Sequence, residues 1–189
     1  MNKTKSRSLV GVLLLLTAPA WGQKPKIDPQ QRYLLLATSS TSTMQMELDE
    51  AAAQGFRVVM GSARGNTEMV LLLERAAQPP NTYKYRLLAT TDTATVHKEL
   101  DAAPKEGFRV VPRTLMSKPQ AFVGPEIVVV LERPPKPDQR YKYLVLATTL
   151  TSTLQKEWAE AAGRGFIPAD MVTRGELILI MERKSLAKE

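Results

Sequence analysis

Hydrophobic and polar positions follow the same order three times along the chain. An aromatic and aliphatic run comes first, then a polar stretch of Thr and Ser, then apolar residues at helical spacing, and finally two more apolar runs. Apolar residues three and four positions apart indicate an amphipathic helix, and short aromatic and aliphatic runs indicate strands. The pattern therefore predicts three tandem β-α-β-β repeats.

The match between the repeats extends to single residues. Ala37-Thr38 recurs as Ala89-Thr90 and Ala147-Thr148, and Gly55-Phe56 recurs as Gly107-Phe108 and Gly165-Phe166. The alanine and the phenylalanine are 19 residues apart in sequence in every copy. Self-similarity of this kind marks an internal repeat. We assign repeat 1 to residues 33–75, repeat 2 to 83–133 and repeat 3 to 141–183, with an N-terminal arm at 23–32 and a C-terminal tail at 184–189.

Each predicted helix carries one apolar stripe. The stripes are Met44, Leu48, Ala51 and Ala52; Val96, Leu100 and Ala103; and Leu154, Trp158, Ala161 and Ala162. Thr43, Thr95 and Thr153 stand ahead of the stripes as N-cap residues would, and Gly55, Gly107 and Gly165 stand where a C-terminal cap favours glycine. Pro104 removes a backbone donor in the last turn of the middle helix, so we expect that helix to end early or bend.

The composition of the later strands predicts the order within each sheet. Pro112 and Pro168 interrupt the second strand of repeats 2 and 3, and proline is tolerated at a sheet edge. The third strand is apolar on both faces, as in MVLLLE and EIVVVLE, which is typical of a covered central strand. We predict an α+β fold in which each repeat forms a mainly antiparallel sheet of order 1-3-2 with one helix.

A single repeat is expected to be only marginally stable as an isolated domain. Domains of this size bury a smaller share of their surface than larger domains do, and the chain has no cysteine with which to form disulfides. One helix covers one face of each three-stranded sheet, so we expect the uncovered faces to be buried against each other. The three repeats are predicted to pack as one pseudo-symmetric body.

The N-terminal segment has the three-part layout of a secretory signal peptide. Lys3, Lys5 and Arg7 precede the apolar run at 9–16, and small residues follow up to Gly22. We interpret residues 1–22 as a signal peptide and expect a bacterial periplasmic or secreted protein without a membrane span in its mature chain.

Charge and residue types narrow the class of function. Without residues 1–22 the chain has 23 basic and 19 acidic residues, a net charge of +4 that is spread along the sequence. We therefore predict no nucleic-acid partner. His97 is the only histidine and is expected at the surface, and no spacing indicates a metal site. Since no nucleophile, base and orienting group can be assembled, we predict no catalysis and no cofactor.

The Thr and Ser stretches are the first candidate site. They lie between a strand end and a helix N-terminus, where hydroxyls and free backbone donors could bind an anion or a carboxylate ligand. Capping and turn formation explain hydroxyls there without a ligand. The candidate ligand-binding residues are Thr38, Thr41, Thr43, Thr90, Thr93, Thr95, Thr148, Thr151 and Thr153.

The hairpin of repeat 2 is the second candidate site, because it is longer than its counterparts. Its apolar residues Leu115, Met116 and Phe122 either fold back on the core or contact a partner. Exposed sheet edges also favour pairing with a protein or with another copy of the chain. The leading hypothesis is an exported, non-catalytic protein-binding or scaffolding module, and the alternative is a small-anion or carboxylate binder that uses the threonines.

The recurrent Glu-Arg pairs at the ends of the third strands complete the polar pattern. They are Glu74-Arg75, Glu132-Arg133 and Glu182-Arg183. We expect them to form exposed or rim ion pairs, each contributing about 0–1 kcal/mol.

The order of these motifs resembles a small bacterial family of β-α-β-β domains of unknown function. The shared features are a Tyr-x-Tyr strand, a helix with a central Glu-Leu, a Gly-aromatic pair and an apolar closing strand that ends in Arg. The family commonly has Trp after the glycine, where this chain has Phe56, Phe108 and Phe166. The resemblance covers nearly all of the predicted mature chain. It implies the fold and no active site.

Overall fold

The structure is a computed structural model that describes residues 27–28, 30–65, 67–120, 124–138 and 140–185. The predicted signal peptide, half of the predicted arm and most of the predicted tail lie outside these ranges. Phe122 also lies outside them, and its predicted role stays a prediction.

Strands and helices follow one another in the predicted order. They are β1 (Tyr33–Thr38), α1 (Thr41–Ala53), β2 (Phe56–Arg64), β3 (Glu68–Arg75), β4 (Lys84–Thr90), α2 (Thr93–Ala102), a 3₁₀ helix (Ala103–Glu106), β5 (Arg109–Val110), β6 (Met116–Lys118), β7 (Glu126–Arg133), β8 (Tyr141–Thr148), α3 (Thr151–Gly163), β9 (Ile167–Thr173) and β10 (Leu177–Lys184). The α+β class is confirmed.

The strands form three antiparallel sheets, one in each repeat. Sheet 1 has the order β1-β3-β2, sheet 2 the order β4-β7-β5, and sheet 3 the order β8-β10-β9. The predicted order 1-3-2 is confirmed in all three, with the third strand of each repeat in the centre. In sheet 2 the longer hairpin adds β6, which also pairs with β7.

The three glycine caps and the effect of Pro104 agree with the prediction. Gly55, Gly107 and Gly165 close the helical segments with φ values of 85°, 84° and 81°, the left-handed region that glycine enters at little cost. α2 ends at Ala102, and the chain continues as the 3₁₀ helix that contains Pro104. The middle helix therefore ends early, as expected.

The predicted N-caps were wrong by three residues. The helices begin at Thr41, Thr93 and Thr151, and the residues before them have extended backbone: Ser40, Asp92 and Leu150. The Ser40 hydroxyl accepts a hydrogen bond from the Thr43 backbone N–H, and the Asp92 carboxylate accepts from those of Ala94 and Thr95. The observed caps precede the predicted ones by about one turn, because an N-cap residue lies before the helix and its side chain bonds the free N–H groups of the first turn.

Each helix in the first two repeats is shared between two sheets. α1 contacts β1 and β2 of its own sheet and also β4 of sheet 2, and α2 contacts β4 and β8 in the same way. Buried residues of sheet 1, α1 and sheet 2 form one core cluster. In sheets 2 and 3, the face that does not pack on the repeat's own helix packs on the preceding repeat, including its helix. We expected these sheet faces to pack against each other, and that expectation was wrong.

This arrangement leaves sheet 1 and α3 at opposite ends of the series. The central strands β7 and β10 have runs of buried residues that face both sides, whereas β3 alternates between buried and half-buried positions. Leu35 of β1 is 59% exposed, and Trp158 of α3 is 39% exposed. One apolar face therefore stays open at each end.

Gly107 and Gly175 provide a matched pair of substitutions. Both have positive φ, so alanine at either position is expected to cost about 1–2 kcal/mol of backbone strain. A Cβ at Gly107 would also lie 2.7 Å from the Pro137 Cβ, whereas none of the described atoms lies within 4 Å of a Cβ at Gly175. Gly107→Ala should therefore lower the free energy of unfolding more than Gly175→Ala in urea titrations. Equal losses would show that the contact with Pro137 is relieved without cost.

Candidate functional site

A cluster of polar side chains surrounds Glu132 near the end of β7. Glu132 is 1% exposed, although the Glu-Arg pattern suggested a rim position. A buried carboxylate is costly unless it is paired and fully hydrogen-bonded. Its surroundings must therefore supply several donors.

Three side chains supply these donors. Arg57 of β2 donates to both oxygens of Glu132, from Nε to Oε2 at 2.8 Å and from Nη2 to Oε1 at 3.0 Å. Arg109 of β5 donates to Oε1 at 3.2 Å, and the Tyr85 hydroxyl donates to Oε2 at 3.2 Å. The two-point contact with one guanidinium is a strong and directional form of ion pair. Because Arg57 belongs to repeat 1 and Glu132 to repeat 2, the cluster joins the two repeats.

Tyr85 connects the same two repeats through the backbone. Its hydroxyl accepts a hydrogen bond from the Val58 N–H at 3.0 Å. The corresponding hydroxyl of Tyr143 in repeat 3 accepts from the Val110 N–H of repeat 2 at 2.9 Å. Burial is the main cause that raises the pKa of both hydroxyls well above the usual value, so both stay protonated. The same contact thus occurs at both junctions.

A small cavity lies beside this cluster. It has a volume of about 270 Å³ and is lined by residues that include Arg57, Arg109, Tyr141 and Glu182. Burial raises the pKa of the Glu182 carboxyl, and the nearby positive charge of Arg109 opposes this effect. Because both guanidiniums already bond Glu132, the geometry favours a structural role for them over the binding of an anionic ligand.

A repeated tripeptide in the sequence marks this cluster, which the hydrophobic pattern did not predict. Phe-Arg-Val occurs at residues 56–58 and 108–110, and each time its arginine bonds Glu132 and its valine N–H meets a tyrosine of the next repeat. In repeat 3 the same positions are Ile167 and Pro168. The tripeptide is therefore present in repeats 1 and 2, each of which is followed by another repeat, and absent from repeat 3.

The threonine stretches lie at three separate helix N-termini. At each strand end a threonine hydroxyl accepts from the backbone N–H two residues later, at distances of 3.2, 3.1 and 3.2 Å for Thr38, Thr90 and Thr148. These are turn-forming bonds. Thr41, Thr93 and Thr151 begin the helices, and Thr43, Thr95 and Thr153 lie in the first turn.

The middle stretch has the most bonds to other side chains. The Thr95 hydroxyl donates to Asp92 at 2.7 Å, and the Thr93 hydroxyl donates to Glu176 of repeat 3 at 3.1 Å. No hydrogen bond recorded in the described part of the chain joins threonines of two different repeats. The observed bonds of these threonines form turns, caps and a contact between repeats. The binding of an anion or a carboxylate by the same residues stays a prediction.

The hairpin of repeat 2 is held against the core. Leu115 is 7% exposed and Met116 is 3% exposed, and both belong to core clusters. The Asp170 carboxylate of β9 accepts from the backbone N–H groups of Thr114 and Leu115, at 2.8 and 2.9 Å. Of the two alternatives, the structure supports folding back, so these two side chains offer no exposed contact to a partner.

A row of apolar side chains crosses the outer face of sheet 1. Leu35 of β1 pairs in register with Leu72 of β3, which pairs with Met60 of β2. Leu35 is 59% exposed and Met60 38%, and neighbouring Tyr33 is 51% exposed. The row therefore forms an apolar surface as wide as the sheet.

Comparison with known proteins finds no family model, no curated protein and no solved structure that matches this chain. None of the helices in the ranges described above is long and apolar enough to cross a membrane. Within the same ranges, His, Asp and Glu residues form no group of three that could hold a metal ion. The resemblance to the β-α-β-β family stays a prediction.

Glu132 and Glu74 occupy equivalent strand positions, so their amide variants form a controlled comparison. Glu132→Gln removes the charge that Arg57 and Arg109 bond and should lower the free energy of unfolding by about 1.5–3 kcal/mol. Glu74→Gln affects only the more exposed pair with Arg32 and should cost about 0–1 kcal/mol. Chemical denaturation measures both. Similar losses in the two variants would mean that Glu132 is no more important than a surface charge.

Glu182→Gln tests the cost of a half-buried carboxyl. Because the pKa of Glu182 is raised in the folded protein, the folded state binds more protons than the unfolded state between the ordinary and the raised pKa. The free energy of unfolding then falls as the pH rises through this window. The variant should exceed wild type in stability at neutral pH and match it in acid, below the ordinary carboxyl pKa of about 4.3.

Denaturation at a series of pH values gives the comparison. Glu160→Gln, on the exposed side of α3, controls for the loss of one negative charge. A stability difference for Glu182→Gln that is the same at acid and neutral pH would contradict the assignment.

Proposed function

We propose that this protein is an exported, non-catalytic module that binds a protein partner through the outer face and the edge strand of sheet 1. The observation that carries the proposal is the exposure of Leu35 and Tyr33 on β1. Single exposed apolar residues are ordinary. A contiguous apolar surface that spans Leu35, Leu72 and Met60 is typical of an interaction site.

The position of β1 adds a second means of recognition. β1 forms one edge of sheet 1, and the outer edge of such a strand presents backbone N–H and C=O groups to which another chain can bond. An apolar face next to an open edge suits a protein segment that offers both apolar side chains and backbone groups.

Two further features support the non-catalytic and exported character. The most buried ionisable group near the cavity, Glu132, is bonded by Arg57, Arg109 and Tyr85, so it is poorly placed to exchange a proton with a substrate. The N-terminal sequence pattern and the absence of cysteine support export into a compartment where the fold does not rely on disulfides.

We further propose that the three repeats pack with pseudo-symmetry. Two equivalent contacts support this proposal: the Tyr85 hydroxyl accepts from the Val58 N–H, and the Tyr143 hydroxyl accepts from the Val110 N–H. The sharing of α1 and α2 between successive sheets agrees with one repeated packing operation.

Site-directed photo-crosslinking tests the binding proposal. A photoreactive amino acid at position 35 should give a discrete crosslinked product in periplasmic extract, because Leu35 lies in the proposed interface. The same group at the exposed position 98 of α2 is the control and should give none. A product with a different protein should be suppressed by added unlabelled wild-type chain and not by Leu35→Asp chain. Products that are indistinguishable at the two positions would rule out sheet 1 as the binding surface.

A further inference from the structure

Internal repetition indicates which surface fits the open face of sheet 1. Equivalent positions in the three sheets are Tyr33, Leu35, Val70 and Leu72; Tyr85, Leu87, Val128 and Val130; and Tyr143, Val145, Ile178 and Ile180. In sheets 2 and 3 the tyrosine and the two central-strand residues are buried, and these faces pack against α1 or α2 and the strands of the preceding repeat. Sheet 1 carries the same kind of apolar residues, and its face is exposed at Tyr33 and Leu35.

α3 carries the complementary half of the same interface. Leu48 of α1 and Leu100 of α2 are 0% exposed, and the equivalent residue of α3 is Trp158, which is 39% exposed. Ala52 of α1 is buried, whereas its equivalent Ala162 is exposed. α3 therefore has a free face at the positions where the other two helices contact the next repeat.

At the junction of repeats 1 and 2, a glutamine on this face of α1 bonds the edge strand β4. The Gln45 side chain of α1 donates to the Tyr85 carbonyl at 3.1 Å and accepts from the Leu87 N–H at 2.7 Å. The equivalent of Gln45 in α3 is Gln155, which is exposed. The equivalents of Tyr85 and Leu87 on the edge strand β1 are Tyr33 and Leu35. α3 thus carries the same amide, and sheet 1 carries the same strand positions.

We propose that the partner of sheet 1 is a second copy of this chain, whose α3 docks on sheet 1 as α1 docks on sheet 2. This inference rests on the proposed function and names the occupant of the surface proposed there. The two contacting surfaces are different, so the contact is heterologous and continues head to tail unless a ring closes. Gln155 of one copy bonds the backbone of Tyr33 and Leu35 in the next, and Trp158 covers the apolar row.

Differences at the junction make the contact between copies weaker than the contact within the chain. Ile167 and Pro168 stand where repeat 1 has Arg57 and Val58, which bond Glu132 and Tyr85 of repeat 2. Glu74, the equivalent of Glu132, needs no arginine from a second copy because Arg32 of its own chain bonds it at 3.0 and 2.9 Å. The junction between copies is therefore apolar with one amide contact, and it has no buried ion pair.

Two complementary variants test the proposal, in the chain from Gln23 onward and in the full chain. Leu35→Asp blocks the sheet end and leaves α3 free, and Trp158→Asp blocks the helix end and leaves sheet 1 free. Sedimentation velocity and light scattering over a concentration series should show oligomers for wild type and monomers for each variant. An equimolar mixture of the two variants should form a dimer and nothing larger, because one intact junction remains.

Controls separate association from folding and from charge. Lys98→Asp, on the exposed side of α2, adds negative charge away from both ends and should associate like wild type. Thermal unfolding followed by circular dichroism checks that each variant folds. If Trp158→Asp fails to fold, Ala162→Arg replaces it, since an exposed alanine contributes little to the core.

Several outcomes would overturn the proposal. These are a wild-type chain from Gln23 that stays monomeric, association that requires residues 1–22, dimers that persist in Trp158→Asp, or a mixture that gives no dimer. A monomeric chain whose position 35 still crosslinks to a different protein would overturn self-association and leave the proposed function standing. Absence of both association and crosslinks at position 35 would contradict self-association and the proposed function alike.

Discussion

The buried carboxylate of Glu132 constrains how the first two repeats meet. A charge that is 1% exposed is tolerated only when donors surround it, and one of its three partners, Arg57, comes from the preceding repeat. The cluster can form only if β2 and β7 lie at one relative position. The Tyr85 hydroxyl, which meets both Glu132 and the Val58 N–H, links that charge to the backbone of repeat 1. Apolar burial drives the repeats together, and this network selects the orientation in which they pack.

Sharing of helices decides where apolar surface stays exposed. A three-stranded sheet with one helix has a bare face, and a helix from the preceding repeat covers it in sheets 2 and 3. A series built in this way always ends with one bare sheet face and one bare helix face, whatever the number of repeats. Leu35 and Trp158 lie on these two faces. The exposed apolar groups at the two ends therefore follow from the packing scheme itself.

Sequence patterns predicted the features that depend on local chemistry. Strand order followed from apolar content and proline position, and Gly55 and Pro104 acted through backbone geometry alone. Features set by neighbours in space were missed. Glu74 and Glu132 are each followed by Arg and occupy equivalent positions, yet Glu132 is the buried one of the two, because side chains of repeats 1 and 2 surround it. Leu115 and Met116 were ambiguous for the same reason: a hairpin's apolar residues can be assigned to the core only when the surface that receives them is known.

Repeat 3 departs from the others where it would contact a following repeat. Arg57 of repeat 1 bonds a carboxylate of repeat 2, and Ile167 at the equivalent position cannot form such a bond. Proline at position 168 has no N–H, so it leaves no donor unbonded where the valines of repeats 1 and 2 bond a tyrosine. These replacements remove the polar half of the junction and keep its apolar half, with Gln155 and Trp158 still present. A terminal surface of this composition favours reversible contact, because it can face water without leaving a buried polar group unsatisfied.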